Sequence, residues 1–131
     1  MASQRAVLQI CVVKRPLITL TSDFGQADGT VGAMICVIKS ISPGAEVLSL
    51  SHDIPPHDIV HGAWALYQSA PFFPAGTIHV AVVDPGVGTR RRAIMVETGK
   101  GLLLGPDNGM LVWAANAMGP KRYFAIENTP Y

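Results

Sequence analysis

The chain has 131 residues, 49% hydrophobic and 15% charged, with ten Lys and Arg against nine Asp and Glu. This composition excludes disorder, and a net charge of +1 leaves no electrostatic footprint for nucleic acid or an anionic membrane surface. A single domain of this size buries roughly 65–70% of its unfolded surface, so it needs no staple to hold a core.

Residues 1–16 read as an N-terminal extension. Arg5, the apolar run from Ala6 to Val13 and Lys14 have the charge order of a secretory signal. The run is short, contains Gln9 and lacks a small-residue cleavage site, so an extension or an extra strand is the better expectation. Leu17–Leu20 is β-prone and ends in Thr21-Ser22-Asp23-Phe24-Gly25. Val31, Met34, Ile35, Ile38 and Ile41 share one helical face, with Asp28 or Thr30 as its cap and Ser42-Pro43-Gly44 as its stop. Glu46–Ser51 is a second strand. His52 to His57 is a loop, because Pro55 and Pro56 forbid both helix and ladder there.

Asp58 is placed to cap a second helix with its apolar stripe at Ile59, Ala63, Leu66, Tyr67 and Ala70. Thr77–Val83 is the clearest strand, and Asp84-Pro85-Gly86-Val87-Gly88-Thr89 is the loop after it. Ala93–Glu97 and Leu102–Leu104 flank a Gly99-Lys100-Gly101 turn. A Pro106–Gly109 loop, a helix over Met110–Met118 and a strand over Tyr123–Ile126 complete the order. Alternating strands and helices predict an α/β fold with a mostly parallel or mixed sheet flanked by helices. Ligands of such sheets sit beyond the carboxyl ends of the strands. The loops 21–25, 84–89 and 106–109 are therefore expected to converge on one edge.

Each candidate residue has a bland and a functional reading. Asp23 is a turn or cap residue, or a carboxylate whose two oxygens accept both hydroxyls of a ribose. Asp28 carries the same ambiguity. Asp84 follows the most apolar strand, and Gly86 and Gly88 let backbone approach a ligand. The loop is neither a Walker A loop nor a dinucleotide fingerprint, since Arg91 stands where the third glycine belongs. Arg90-Arg91-Arg92 is a solvated turn, a phosphate patch or the source of an arginine reaching back to Asp84. Asn108 is a turn residue or an amide contact to a ligand. Trp64 and Trp113 are expected to pack rather than to stack on a base. His52, His57, His61 and His79 lack metalloprotease spacing, and no metal is expected. Cys11 and Cys36 form no CxxC pair, and no apolar run reaches the roughly 18–20 residues of a membrane span. A reduced, cytoplasmic setting is the expectation.

Four motifs in order carry a resemblance. They are Ile18-Thr19-Leu20-Thr21-Ser22-Asp23-Phe24-Gly25 with Asp28, His52-Asp53-Ile54-Pro55-Pro56-His57-Asp58-Ile59, Phe73 through Thr89, and Gly105-Pro106-Asp107-Asn108-Gly109. Over about residues 17–126 the chain resembles the S-adenosyl-L-methionine (SAM) hydroxide adenosyltransferases, relatives of the SAM-dependent fluorinase and chlorinase. The resemblance implies cleavage of SAM to adenosine and L-methionine by a water-derived nucleophile, with SAM as substrate and no cofactor. It implies a homotrimer whose ligand lies between the N-domain of one subunit and the β-barrel C-domain of the next. Asp23 matches the ribose-binding residue, Asp28 and Thr30 match positions near the methionine part, and His57 matches a residue of the pocket wall. Asp84 and Arg91 match two members of a catalytic Asp-Arg-His triad. The halogenases carry Tyr and Thr at the positions of Asp84 and Val87, so this pair favours hydroxide over halide. The third triad member and the β-barrel domain lie outside residues 17–131, which resemble a truncated N-terminal α/β domain. Weak or no turnover, and self-association through uncovered apolar surface, are the corresponding expectations. The competing reading is a module that binds adenosine or assembles with partners and catalyses nothing.

Overall fold

A computed structural model describes residues 15–127. Strands β1 (Leu17–Ser22), β2 (Glu46–Ser51), β3 (Thr77–Val82), β4 (Ala93–Thr98), β5 (Gly101–Pro106) and β6 (Pro120–Ile126) form one sheet in the order β2-β1-β3-β5-β4-β6. Helices α1 (Thr30–Ile41), α2 (Ile59–Ser69) and α3 (Val112–Met118) connect them, and a short 3₁₀ turn spans Ala70–Phe72. Strands β1, β2, β3 and β5 run parallel, while β4 pairs antiparallel with both β5 and β6. The expected mixed α/β sheet is therefore present. The reading of residues 1–16 as an extension falls almost wholly outside the described residues.

Two apolar clusters hold the layers. Leu66 and Ala70 pack on Ala81, Val83, Val96, Leu103, Met110 and the buried side of α3. On the opposite face, Met34, Ile35 and Ile38 of α1 pack on Ile18, Leu20, Val47, Ile78 and Val80. Alternation within β3 produces this division: its odd-numbered residues are buried and its even-numbered ones half-buried.

Two of the boundaries that differ from expectation have a clear local cause. β1 runs two residues further, through Ser22, because Thr21 and Ser22 keep pairing with Ala81 and Val82. α3 starts at Val112 rather than Met110, because Asn108 Oδ1 accepts the Met110 N–H at 3.1 Å and holds that segment in a turn. Asp58 caps α2 as read, accepting the His61 N–H at 2.9 Å. Trp64 and Trp113 are 50% and 43% exposed on the outer surface, where the Trp64 ring lies 5.6 Å from that of Tyr67.

Candidate active site

The parallel strands β1, β3 and β5 release their chains at one edge of the sheet. β1 and β3 are neighbours, so the residues just after them are brought side by side. Asp23 sits in a tight turn in which the Phe24 N–H donates to Ser22 Oγ at 3.2 Å. Its Oδ2 accepts the N–H of His57 at 2.8 Å, and the Gly25 N–H donates to the His52 carbonyl at 2.9 Å. His57 adopts a left-handed backbone with φ 64°. That conformation is uncommon outside glycine, although histidine is among the residues that tolerate it. Here the Asp23 carboxylate fixes it from across the cleft.

Asp84 follows Val83, which is fully buried. Its Oδ1 accepts the Gly86 N–H at 2.9 Å, and Arg91 Nε stands 4.0 Å from the same oxygen. At that distance the pair is an ionic contact without a hydrogen bond. The arginine folds back because residue 86 has no side chain. A Cβ there would lie 2.7 Å from Arg91 Nη2.

Asp23 and Asp84 face one cleft of about 280 Å³, with Phe24, Pro56, His57 and Val82 in its walls. A second hollow of about 390 Å³ shares Val82, Asp84 and Val87 with it and extends to Arg91, Pro106 and Ile126. Asp84 therefore stands where the two meet. The first cleft places two carboxylates opposite apolar walls. Such an arrangement takes a ligand that carries hydroxyl groups or positive charge and has an apolar body.

Not every expected residue reaches this cleft. Asp28 is fully exposed and its Oδ1 accepts the Thr30 N–H at 3.0 Å, which holds its carboxyl below the usual range. Asp28 and Thr30 thus shape the start of α1 and lie outside the walls of both hollows. Asn108 has both ends of its amide engaged: Nδ2 donates to the Val83 carbonyl at 2.9 Å and Oδ1 takes the Met110 N–H. It ties the third loop to the backbone immediately before Asp84. Convergence of the three loops is therefore indirect at the third.

His52 and His79 carry no individual role in the sequence motifs, yet both are buried. His52 is 3% exposed; its Nδ1 meets Ser22 Oγ at 2.6 Å and its Nε2 meets Ser49 Oγ at 2.9 Å. Burial pushes its pKa down, against the smaller opposing pull of the Asp53 carboxylate. His79 is fully buried and its Nδ1 meets Thr19 Oγ1 at 2.6 Å. Among the described residues, no group of three His, Cys, Asp or Glu side chains is placed to hold a metal. No helix there is long and apolar enough to cross a membrane. A larger hollow of about 550 Å³ is lined by Trp64, Tyr67, Trp113, Asn116 and Ala117, with no carboxylate, histidine or cation in its lining.

Fold and cleft together define an open α/β domain with an acidic cleft beyond its parallel strands, the position at which ligands bind in sheets of this kind. The chain belongs to the SAM hydroxide adenosyltransferase family: the sequence model of that family's N-terminal domain matches residues 18–131. It is 52% identical over 104 residues to the (R)-S-adenosyl-L-methionine hydrolase of Salinispora arenicola, covering 79% of this chain and 40% of that protein. The protein of the same name from Methanocaldococcus jannaschii is 42% identical over 120 residues, 88% of this chain and 45% of the relative. A fluorinase from an Actinoplanes species is more distant, at 24% identity over 137 residues, 87% of this chain and 46% of that protein. The crystal structure of an uncharacterized conserved protein from Thermotoga maritima is similar at a TM-score of 0.81 and 36% identity, over 85% of this chain and 43% of that one. The chain spans less than half the length of the relatives it matches.

Proposed function

We propose that this chain is the adenosine-side portion of an enzyme that hydrolyses SAM to adenosine and L-methionine. The observation that carries the reading is the single cleft shared by Asp23 and Asp84, with Arg91 beside the latter. Asp23 accepts the ribose hydroxyls with the carboxylate positions that His57 leaves free. His57, Phe24 and Val82 form walls against the nucleoside. Asp28 and Thr30 lie outside the cleft walls and are assigned to the methionine end by the family resemblance alone, while Asn108 acts through the backbone it ties down.

The chemistry is an in-line displacement at the 5′ carbon. A water oxygen forms the new C–O bond as the C5′–S bond breaks. The bonding pair leaves on sulfur, the sulfonium becomes the neutral thioether of methionine, and the water proton passes to Asp84 or to solvent. Arg91 favours hydroxide character in that water, and two carboxylates favour a cationic substrate. Holding the water in line with the sulfur contributes up to about 7–11 kcal/mol in ideal cases. Hydroxide rather than halide as nucleophile is supported by Asp84 and Val87, and by the greater identity to hydrolases than to fluorinases.

The test is calorimetric titration with adenosine followed by an assay of adenosine release from SAM. Adenosine binding with little or no turnover is the expected result for the 131-residue chain alone. Brisk release would show that it needs nothing further. Absence of nucleoside binding would overturn the reading. Binding with no turnover even when the second half of a relative is supplied favours the non-catalytic module.

Assembly with further copies is part of the proposal. Trp64, Tyr67, Phe72 and Trp113 are 41–86% exposed on the α2–α3 side. Exposed aromatic surface of this kind is normally covered by protein. Sedimentation velocity at micromolar concentration is expected to show species heavier than the monomer; a single monomeric boundary contradicts this.

A further inference from the structure

The segment that carries Asp23 is poorly fixed by the sheet alone. β1 and β2 pair regularly from Leu17 to Leu20, but the register slips between Leu20 and Thr21. Beyond that point Ser22 still pairs with Val82 on the β3 side, and the β2 ladder ends at Thr21 opposite Ser51. The residue before Asp23 therefore needs another anchor on its β2 flank.

We propose that His52 is a positioning residue for the ribose-binding carboxylate, with its imidazole linking Ser22 to Ser49 across the interrupted ladder so that the turn holding Asp23 keeps its geometry. Three links join the 22–25 turn to the 52–57 loop. They are Ser22 Oγ to His52 Nδ1 at 2.6 Å, Gly25 N–H to the His52 carbonyl at 2.9 Å, and His57 N–H to Asp23 at 2.8 Å. Ser22 Oγ also receives the Phe24 N–H at 3.2 Å, so one buried hydroxyl joins the imidazole to the peptide just past Asp23. Nε2 reaches back to Ser49 Oγ at 2.9 Å, which anchors the ring in β2. Ser22 is fully buried and His52 nearly so, and a buried hydroxyl that loses its partner pulls its turn out of place to find another. Two ring nitrogens on opposite sides meet both serines at once; no amide of similar size does so.

The inference rests on the reading of Asp23 as the ribose ligand, and the test separates the two. Affinities for adenosine and 2′-deoxyadenosine are measured by calorimetry on the whole chain and its variants, with thermal melting as the control for folding. Wild type is expected to prefer adenosine, because only it offers both hydroxyls to Asp23. His52→Asn retains a polar atom where Nδ1 stands and should keep that preference within about twofold. His52→Gln places its amide toward Ser49 instead, leaves the Ser22 O–H with only the Phe24 N–H on its oxygen and no acceptor of its own, and should lose about tenfold of the preference, the worth of one buried hydrogen bond. Ser22→Ala removes the hydroxyl itself with little change of volume and should reproduce the glutamine result, which covers the case of a glutamine variant that does not fold. Equal preference in wild type and Ser22→Ala, or an equal loss in both His52 variants, overturns the positioning role while leaving the ribose assignment in place. No preference in wild type overturns both.

Discussion

Asp23→Ala is expected to weaken adenosine binding by about a hundredfold and to abolish the preference over 2′-deoxyadenosine. A ribose diol that donates both its hydroxyls to a carboxylate gains about 1.5–3 kcal/mol from each bond, because the acceptor is charged. One lobe of Oδ2 is already taken by the His57 N–H at 2.8 Å, and the remaining positions suffice for two hydroxyls. The substitution also releases the His57 backbone, whose φ of 64° is otherwise fixed through that bond. Binding loss thus has two sources, the missing acceptor and a relaxed wall. Asp23→Asn separates them. It keeps an acceptor for His57 but turns half of the diol site into a donor, so about a tenfold loss is expected. Asp23 stands at the half-exposed rim of the cleft, so neither variant should lower the melting temperature appreciably. Wild-type affinity in Asp23→Ala removes the ribose assignment.

Mild acid is expected to destabilise the fold through His79. This side chain is fully buried, with Thr19 Oγ1 on Nδ1 and the Phe73 ring edge-on at 5.5 Å. Nε2 has no hydrogen-bond partner within the described residues. Nothing around it compensates a positive charge, and burial pushes its pKa from 6.5 down to about 4. The sign follows from proton uptake. Between pH 6.5 and about 4 the unfolded chain binds a proton that the folded chain refuses, so stability falls as the pH falls. Above pH 6.5 this residue contributes no dependence. Each pH unit inside the window costs about 1.4 kcal/mol, and a drop to pH 4.5 costs roughly 2–3 kcal/mol of the 5–15 typical of a domain.

Urea unfolding at pH 7 and pH 4.5 measures the loss. His79→Asn keeps a polar partner for Thr19 but cannot titrate, and its midpoint should be less pH-dependent, with the remaining slope coming from His52, whose pKa burial also lowers. The lowered carboxyls of Asp28, which is exposed, and Glu97, which is half-buried beside Arg122, lose their partners only as the pH falls below the usual carboxylate range. They do not account for a loss that begins near neutrality. An unchanged slope in His79→Asn removes the explanation.

Much of this architecture was legible in local pattern. The stripe at Val31, Met34, Ile35 and Ile38 marks α1 because helical period is a property of neighbouring side chains. Pro55 and Pro56 mark a loop because neither helix nor ladder accommodates them. Asp58 reads as a cap and is one. The acidic loop tips at 23 and 84 stood out because strands of a parallel sheet deliver their following loops to a common edge. The order of the four motifs along the chain carries the family resemblance without any tertiary information.

Other features follow from pairing between distant segments, which no local period encodes. That β1 lies directly beside β3, and so brings Asp23 and Asp84 to one cleft, depends on which strands bury which faces. The return of Arg91 onto Gly86 needs the loop already folded. Trp64 and Trp113 look like core residues by type, yet the helices turn them outward because Leu66, Ala114 and Ala115 already fill the space against the sheet. His52 and His79 have the same side chain and similar burial, and sequence treats them alike. Tertiary structure separates them: one bridges two serines across a broken ladder, and the other has a single partner in an apolar layer. Sequence by itself determined the elements, the loops that carry polar chemistry and the family, because these depend on residue type and short spacing. Only the three-dimensional packing decided which polar groups meet and which are committed to the fold, because partner choice is settled by long-range burial of the strands and helices that carry them.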